Sequence, residues 1–157
     1  MKKEEKKLLL KDLCARIPYG VKILHQGWNY EWDQELSTLE RVTGIDENFI
    51  YTKVIDTHNG EEYRDDEHSI SLLDDKPYLF PLSSMTEEKR EELRSLLKPS
   101  VLKSLDEDES IEFPTLISAK PSVVEIDFYN KYHFDYRGLI PVKLAIDATG
   151  LSIYKED

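Results

Sequence analysis

Lys76-Pro77-Tyr78-Leu79-Phe80-Pro81-Leu82-Ser83-Ser84-Met85-Thr86-Glu87-Glu88 is the stretch on which the fold turns. Its two prolines bias the residues before them toward extended backbone, and Tyr78, Leu79, Phe80 and Leu82 give that segment an apolar load. Ser84 or Thr86 then supplies a helix cap, and Glu87 and Glu88 form the acidic first turn that a helix N-terminus favours. The stretch reads as a strand-to-helix junction. It divides a single domain into a β-rich half over 1–84 and a mainly helical half over 85–157.

Working back from the junction, residues 4–16 carry a helical stripe of Leu9, Leu10, Leu13, Cys14 and Ile17, stopped by Pro18 and Gly20. Residues 21–26 read as a strand with Val21 and Ile23 on one face and Leu24 on the other. Residues 35–43 and 49–56 read as two more strands, and in the latter Ile50, Thr52 and Val54 oppose Phe49, Tyr51 and Ile55. Asn59-Gly60 is a hairpin signal, since a type I′ turn needs positive φ at both central positions. The charged residues after it predict a strand frayed as far as Ser69. Four or five short antiparallel strands point to a small antiparallel sheet or an SH3-like barrel.

Working forward, residues 86–97 form a helix with Leu93, Leu96 and Leu97 facing inward, closed by Pro99. Residues 111–118 read as extended. Pro121 opens a helix to about His133 with Val124, Phe128 and Tyr132 on one stripe, and Val142, Leu144 and Ile146 alternate as a closing strand. The fold class is therefore α+β: an N-terminal helix, the small sheet, and a helical C-terminal half packed on it.

The chain of 157 residues carries 32 acidic and 21 basic side chains, a formal charge of −11, which repels phosphate backbones and disfavours direct nucleic-acid binding. The only basic run (Lys2, Lys3, Lys6, Lys7, Lys11) alternates with Glu4 and Glu5 as a solvated helix face does. Cys14 is the single cysteine, so no internal disulfide forms, and its place on the apolar stripe predicts a buried, inert thiol. The apolar run Leu8-Leu9-Leu10 is too short for a signal peptide, and no segment has the length of a membrane span. The expectation is a soluble, cytoplasmic monomer or weak dimer.

Three blocks carry a family resemblance: 9–21 (Leu9 to Val21), 76–88, and His133-Phe134-Asp135-Tyr136-Arg137-Gly138-Leu139-Ile140. They resemble a family of uncharacterised small proteins from gut anaerobic bacteria and their phages or mobile elements. The resemblance spans both halves and implies a mobile-element setting. It transfers no catalytic residue, and at Phe80 the family pattern has a basic residue.

Three constellations could carry function. Trp28, Tyr30 and Trp32 recur at every second residue, so an extended backbone puts all three rings on one face. That face is either a platform for sugars, bases or a proline-rich peptide, or a hairpin arm covering the core. Core is the preferred reading for at least one ring, and the three residues are the only binding candidates. His58, Glu61, Glu62, Asp65, Asp66, Glu67 and His68 crowd one hairpin. Their spacing matches no metal motif, and the expectation is a solvated tip with no metal. Tyr129, Tyr132, His133, Asp135, Tyr136 and Arg137 gather at a helix end, where a His–Asp pair with an arginine could do acid–base work or merely order the turn. The turn reading is preferred.

No nucleophile elbow, phosphate loop or zinc spacing occurs, so no catalytic residue and no cofactor is expected. The leading expectation is a non-enzymatic protein-interaction or accessory protein of a phage or mobile element, acting on an unknown protein partner. The alternative is an acidic inhibitor mimicking nucleic acid, with Asp65-Asp66-Glu67, Asp74-Asp75 and 106–109 in place of phosphates. A metal-assisted enzyme ranks third, and a single deep pocket containing His133 or the His58–His68 hairpin would favour it.

Overall fold

The computed structural model describes residues 1–29, 33–55, 62–70, 74–101 and 121–154. Helix α1 (Lys3–Arg16) leads through a 3-10 turn into β1 (Lys22–Asn29), β2 (Gln34–Ile45), β3 (Phe49–Ile55), β4 (Glu62–Ser69) and β5 (Lys76–Leu79). Helices α2 (Glu87–Val101) and α3 (Val123–Lys131) follow, and β6 (Ile146–Asp147) returns to the sheet. The class is α+β. The sheet is open, in the order β4-β3-β2-β1-β5-β6, and among these described strands only the β5–β6 pair is parallel. The small antiparallel sheet expected from the sequence forms, and this strand order does not show closure into an SH3-like barrel.

The sheet is nonetheless strongly curved. Paired residues share a face, so Ile23, Val42 and Ile50 lie on the same side as their cross-strand partners Glu40, Thr52 and His68. Three inter-strand steps would set β1 and β4 roughly 14 Å apart in a flat sheet. The rings of His25 on β1 and His68 on β4 instead stack with centroids 3.7 Å apart. The concave face thus carries apolar residues toward α1 and a polar group beside them.

Two cores meet at the junction stretch. Leu79 packs with Leu9, Leu13, Ile23, Val42 and Ile50, joined by Leu139 and Leu144 from the C-terminal segment. The next residue, Phe80, packs on the second core of Met85, Leu93, Leu97, Phe128, Tyr129 and Phe134. Consecutive residues of an extended segment point to opposite sides, so this one dipeptide serves both cores. The chain after α3 runs beside it: Phe80 N–H donates to the His133 carbonyl (2.9 Å) and Asp135 N–H to the Phe80 carbonyl (2.7 Å).

A buried cation closes the seam between the cores. Arg16 is fully buried and donates to both oxygens of Asp12 (2.8 and 3.1 Å), to Tyr129 O (3.1 Å) and to Phe134 O (2.8 Å). Arg137 adds a bond to Asp12 Oδ1 (2.8 Å).

Several sequence expectations need correcting. The buried stripe of α1 is Leu9, Asp12, Leu13 and Arg16, and Cys14 is exposed. The Asp12–Arg16 pair neutralises itself and satisfies two carbonyls, so this polar face can go inside. Residues 62–69 form a full strand because each charged residue has a β3 partner, and Lys53 faces Asp65 across it. Helix α2 continues past Pro99 to Val101, and Leu96 stands exposed while Leu93 and Leu97 are buried. Helix α3 starts at Val123 behind a reciprocal cap: Glu125 N–H donates to Ser122 Oγ (3.3 Å) and Ser122 N–H to Glu125 Oε2 (2.7 Å). Its buried side holds Glu125, Phe128 and Tyr129, and Val124 is exposed. Of the expected closing strand only Ile146–Asp147 forms, with Val142 exposed on a turn. The Asn59-Gly60 turn and the extended segment over 111–118 lie outside the described residues.

Candidate functional site

Where the junction stretch meets the ends of β1 and α3, a pocket of about 660 Å³ opens. The 3-10 turn ending at Gly20, in left-handed backbone (φ 68°), forms one wall, and a Cβ there would meet Arg41 Cδ at 3.4 Å. The N-terminus of α2 forms another: Thr86 Oγ1 accepts from Lys89 N–H (3.4 Å), and Ser84, Thr86 and Glu88 line the opening. The third wall is the C-terminal end of α3, with Lys131, Tyr132 and His133.

Its charge runs against that of the chain. Lys22, Arg41, Lys89 and Lys131 line the pocket against one carboxylate, Glu88. Lys89 and Lys131 flank the Tyr132 ring, their ammonium groups 3.6 and 4.8 Å from its centroid, and both reach Glu92 (3.1 and 3.8 Å). Tyr132 donates to the same carboxylate (2.5 Å). Lys22 Nζ donates to Ile153 O (2.8 Å) and lies over the Tyr154 ring. Phe80, Phe134 and Tyr154 supply apolar floor. A mostly apolar concavity with a few converging polar groups is the usual form of a binding site.

His133 lines this pocket and is buried, in left-handed backbone (φ 57°) and stacked on Tyr154 at 3.9 Å. Burial pushes its pKa down to about 3, the charges of Arg16 and Lys22 add to this, and a hydrogen bond to the Tyr19 backbone only partly opposes it. The ring is neutral at neutral pH, and its Nδ1 is buried without a hydrogen-bond partner. Its sequence neighbours do not join it. Asp135 accepts the backbone N–H groups of Leu139 and Ile140 (both 2.8 Å), and Arg137 is bound to Asp12. Asp135 thus orders the turn that follows, and among the described residues His133, Asp135 and Arg137 are not hydrogen-bonded to one another.

A second polar group lies on the concave face of the sheet. Glu40 is fully buried and accepts from Thr38 Oγ1 (2.5 Å) and Thr52 Oγ1 (2.6 Å), and its Oε2 lies 2.6 Å from His68 Nε2. Burial alone would raise its pKa, but the hydrogen bonds from His68, Thr38 and Thr52 outweigh burial and hold it at about 2. Burial would likewise lower His68, and the bond and charge of Glu40 outweigh it and raise that pKa. His25 Nδ1 lies 2.6 Å from Asp75 Oδ1. The sequence reading of residues 58–68 as a solvated tip is thus corrected at His68, which is buried, while 56–61 lie outside the described residues.

Trp28 sits on β1 opposite Glu35, and Tyr30 and Trp32 lie outside the described residues, as does the side chain of Trp28. The pocket was missed because its four cations come from β1, β2, α2 and α3 and form no run in the sequence. The junction stretch, read as purely architectural, contributes Phe80, Ser84, Thr86 and Glu88 to its wall. Among the described residues no helix is long and apolar enough to cross a membrane. No family model, curated protein or solved structure matches the chain.

Proposed function

We propose that the chain is a non-enzymatic interaction protein that seats an acidic segment of a protein partner in the Lys22–Arg41–Lys89–Lys131 pocket. The carrying observation is the concentration of cations around an aromatic floor in a chain of net charge −11. Charge complementarity favours carboxylates, and the rings favour an apolar or aromatic side chain between them. The acidic remainder of the surface repels a long polyphosphate, whereas a few side chains fit about 660 Å³. The unassembled state of His133, Asp135 and Arg137 supports binding over acid–base catalysis. Burial of Asp75 removes one of the carboxylates on which the nucleic-acid mimic depends. A cytoplasmic, mobile-element setting belongs to the proposal and rests on the three resembling blocks.

The test is fluorescence anisotropy with a labelled peptide of glutamate and tyrosine. Saturable binding that weakens with salt, and about tenfold or more in Lys89→Glu with an unchanged melting temperature, supports the proposal. Direct binding of inorganic phosphate or ATP, by calorimetry, with no peptide binding would replace the partner with a small anion. No binding of any of these probes would remove the pocket as the functional site.

A further inference from the structure

We propose that His25, His68 and Asp75 form a binding site for a divalent transition-metal ion of the Zn²⁺ class, with Glu40 holding His68 in place behind it. Sequence analysis weighs only the 58–68 hairpin as a metal site and expects none there; His25 and Asp75 lie far from it in the chain. The curved sheet gathers them: one donor atom from each lies within 4.8 Å of the others. The proposal is independent of the pocket and its partner.

Three observations carry it. Asp75 is buried, with Oδ1 on His25 and Oδ2 left without any hydrogen-bond partner. A buried, unsatisfied carboxylate oxygen is costly and calls for an ion or another donor. Glu40 then supplies the outer support usual for a metal-bound histidine, a carboxylate on the far ring nitrogen. It accepts the hydrogen bond of His68 Nε2–H and so leaves Nδ1 as that ring's lone-pair nitrogen, while Thr38 and Thr52 fix Glu40 in turn. Finally, the His25 side chain is 24% exposed where its partner Asp75 is 3% exposed, which gives an ion a route from solvent to the buried carboxylate.

Two imidazoles and a carboxylate suit Zn²⁺, Co²⁺ or Ni²⁺ rather than Mg²⁺ or Ca²⁺, which prefer all-oxygen shells. Ligand atoms around a tetrahedral Zn²⁺ stand about 3.3 Å apart, so His25 and Asp75 must part from their present 2.6 Å and His68 must draw in. The Nδ1 proton that His25 shares with Asp75 moves to Nε2 of the same ring as the ion takes Nδ1. With His25 on β1, His68 on β4 and Asp75 just before β5, the ion would fasten three separate parts of the curved sheet.

The experiment is Co²⁺ titration of EDTA-treated protein, read by visible d–d absorption, followed by Zn²⁺ displacement. Expected are intense bands of low-coordinate Co²⁺ that saturate at stoichiometry, vanish on adding Zn²⁺, and are lost in His25→Gln and Asp75→Asn. Glu40→Gln should keep the bands but weaken affinity about 10–100-fold. Circular dichroism and melts in EDTA confirm folding of each variant. Should Asp75→Asn not fold, the part-exposed His25→Gln carries the test. Weak, unsaturable bands of octahedral Co²⁺ overturn the proposal, as do intense bands that survive in the folded variants.

Discussion

Lowering the pH should destabilise the folded chain through His133 more than through any ordinary histidine. Its pKa is about 3 in the fold and near 6.5 when exposed, so the unfolded chain takes up a proton that the folded chain refuses. The contribution is therefore neutral above pH 6.5 and turns increasingly unfavourable as pH falls toward 3. Because the folded value lies far below 5, the loss at pH 5 is set by the unfolded value alone and comes to about 2 kcal/mol relative to neutral pH. Other groups titrate in the same range, so the measurement is a difference. His133→Asn keeps a residue that tolerates the left-handed backbone but does not titrate. Urea unfolding of both proteins at pH 7.5 and pH 5 gives two stability gaps. The wild type should lose about 2 kcal/mol more than the variant over that step. Parallel losses would show that His133 titrates normally, and the description of it as buried and unpartnered at Nδ1 would fail with that result.

The Asp12–Arg16 pair should behave as a buried ion pair broken from one side: Arg16→Ala or Asp12→Ala should cost about 3–5 kcal/mol in urea unfolding, against less than about 1 kcal/mol for an exposed pair. Cys14 is exposed, so a thiol reagent should label the native protein about as fast as the denatured one. On α2, Leu93→Ala should cost about 2–5 kcal/mol, while Leu96→Ala, at a residue 49% exposed, should change stability by about 0.5 kcal/mol or less.

The strands were legible where alternation is strict. Ile50, Thr52 and Val54 are all buried on one face of β3, as the pattern requires, because a half-buried strand has only one register that keeps its apolar set inside. The first helix was legible as a helix but not in its facing. Nothing local marks Asp12 and Arg16, four residues apart, for burial, and what draws them inside is a pair of carbonyls at Tyr129 and Phe134, more than a hundred residues away. Local pattern holds no trace of such partners. The candidate sites were illegible for the same reason. His25 and Asp75 are set together by sheet curvature, and the pocket's cations by the meeting of four elements, neither of which leaves a spacing in the chain.

Placement of the buried charges ties the fold to its candidate pocket. An apolar core of equal volume would be about as stable as a buried ion pair, so stability alone does not explain Arg16. Its effect is positional. By taking the carbonyls of Tyr129 and Phe134, Arg16 holds the end of α3 against the first helix and fixes the chain that leaves it. That chain lies along Phe80 through two backbone hydrogen bonds, which set His133 in its left-handed conformation against Tyr154. Tyr154 in turn accepts from Lys22 N–H (2.9 Å) and donates to Tyr78 O (3.0 Å), joining the same wall to β1 and β5. The pocket's aromatic floor is thus assembled by a directional polar network that an apolar seam, free to slide, would not provide.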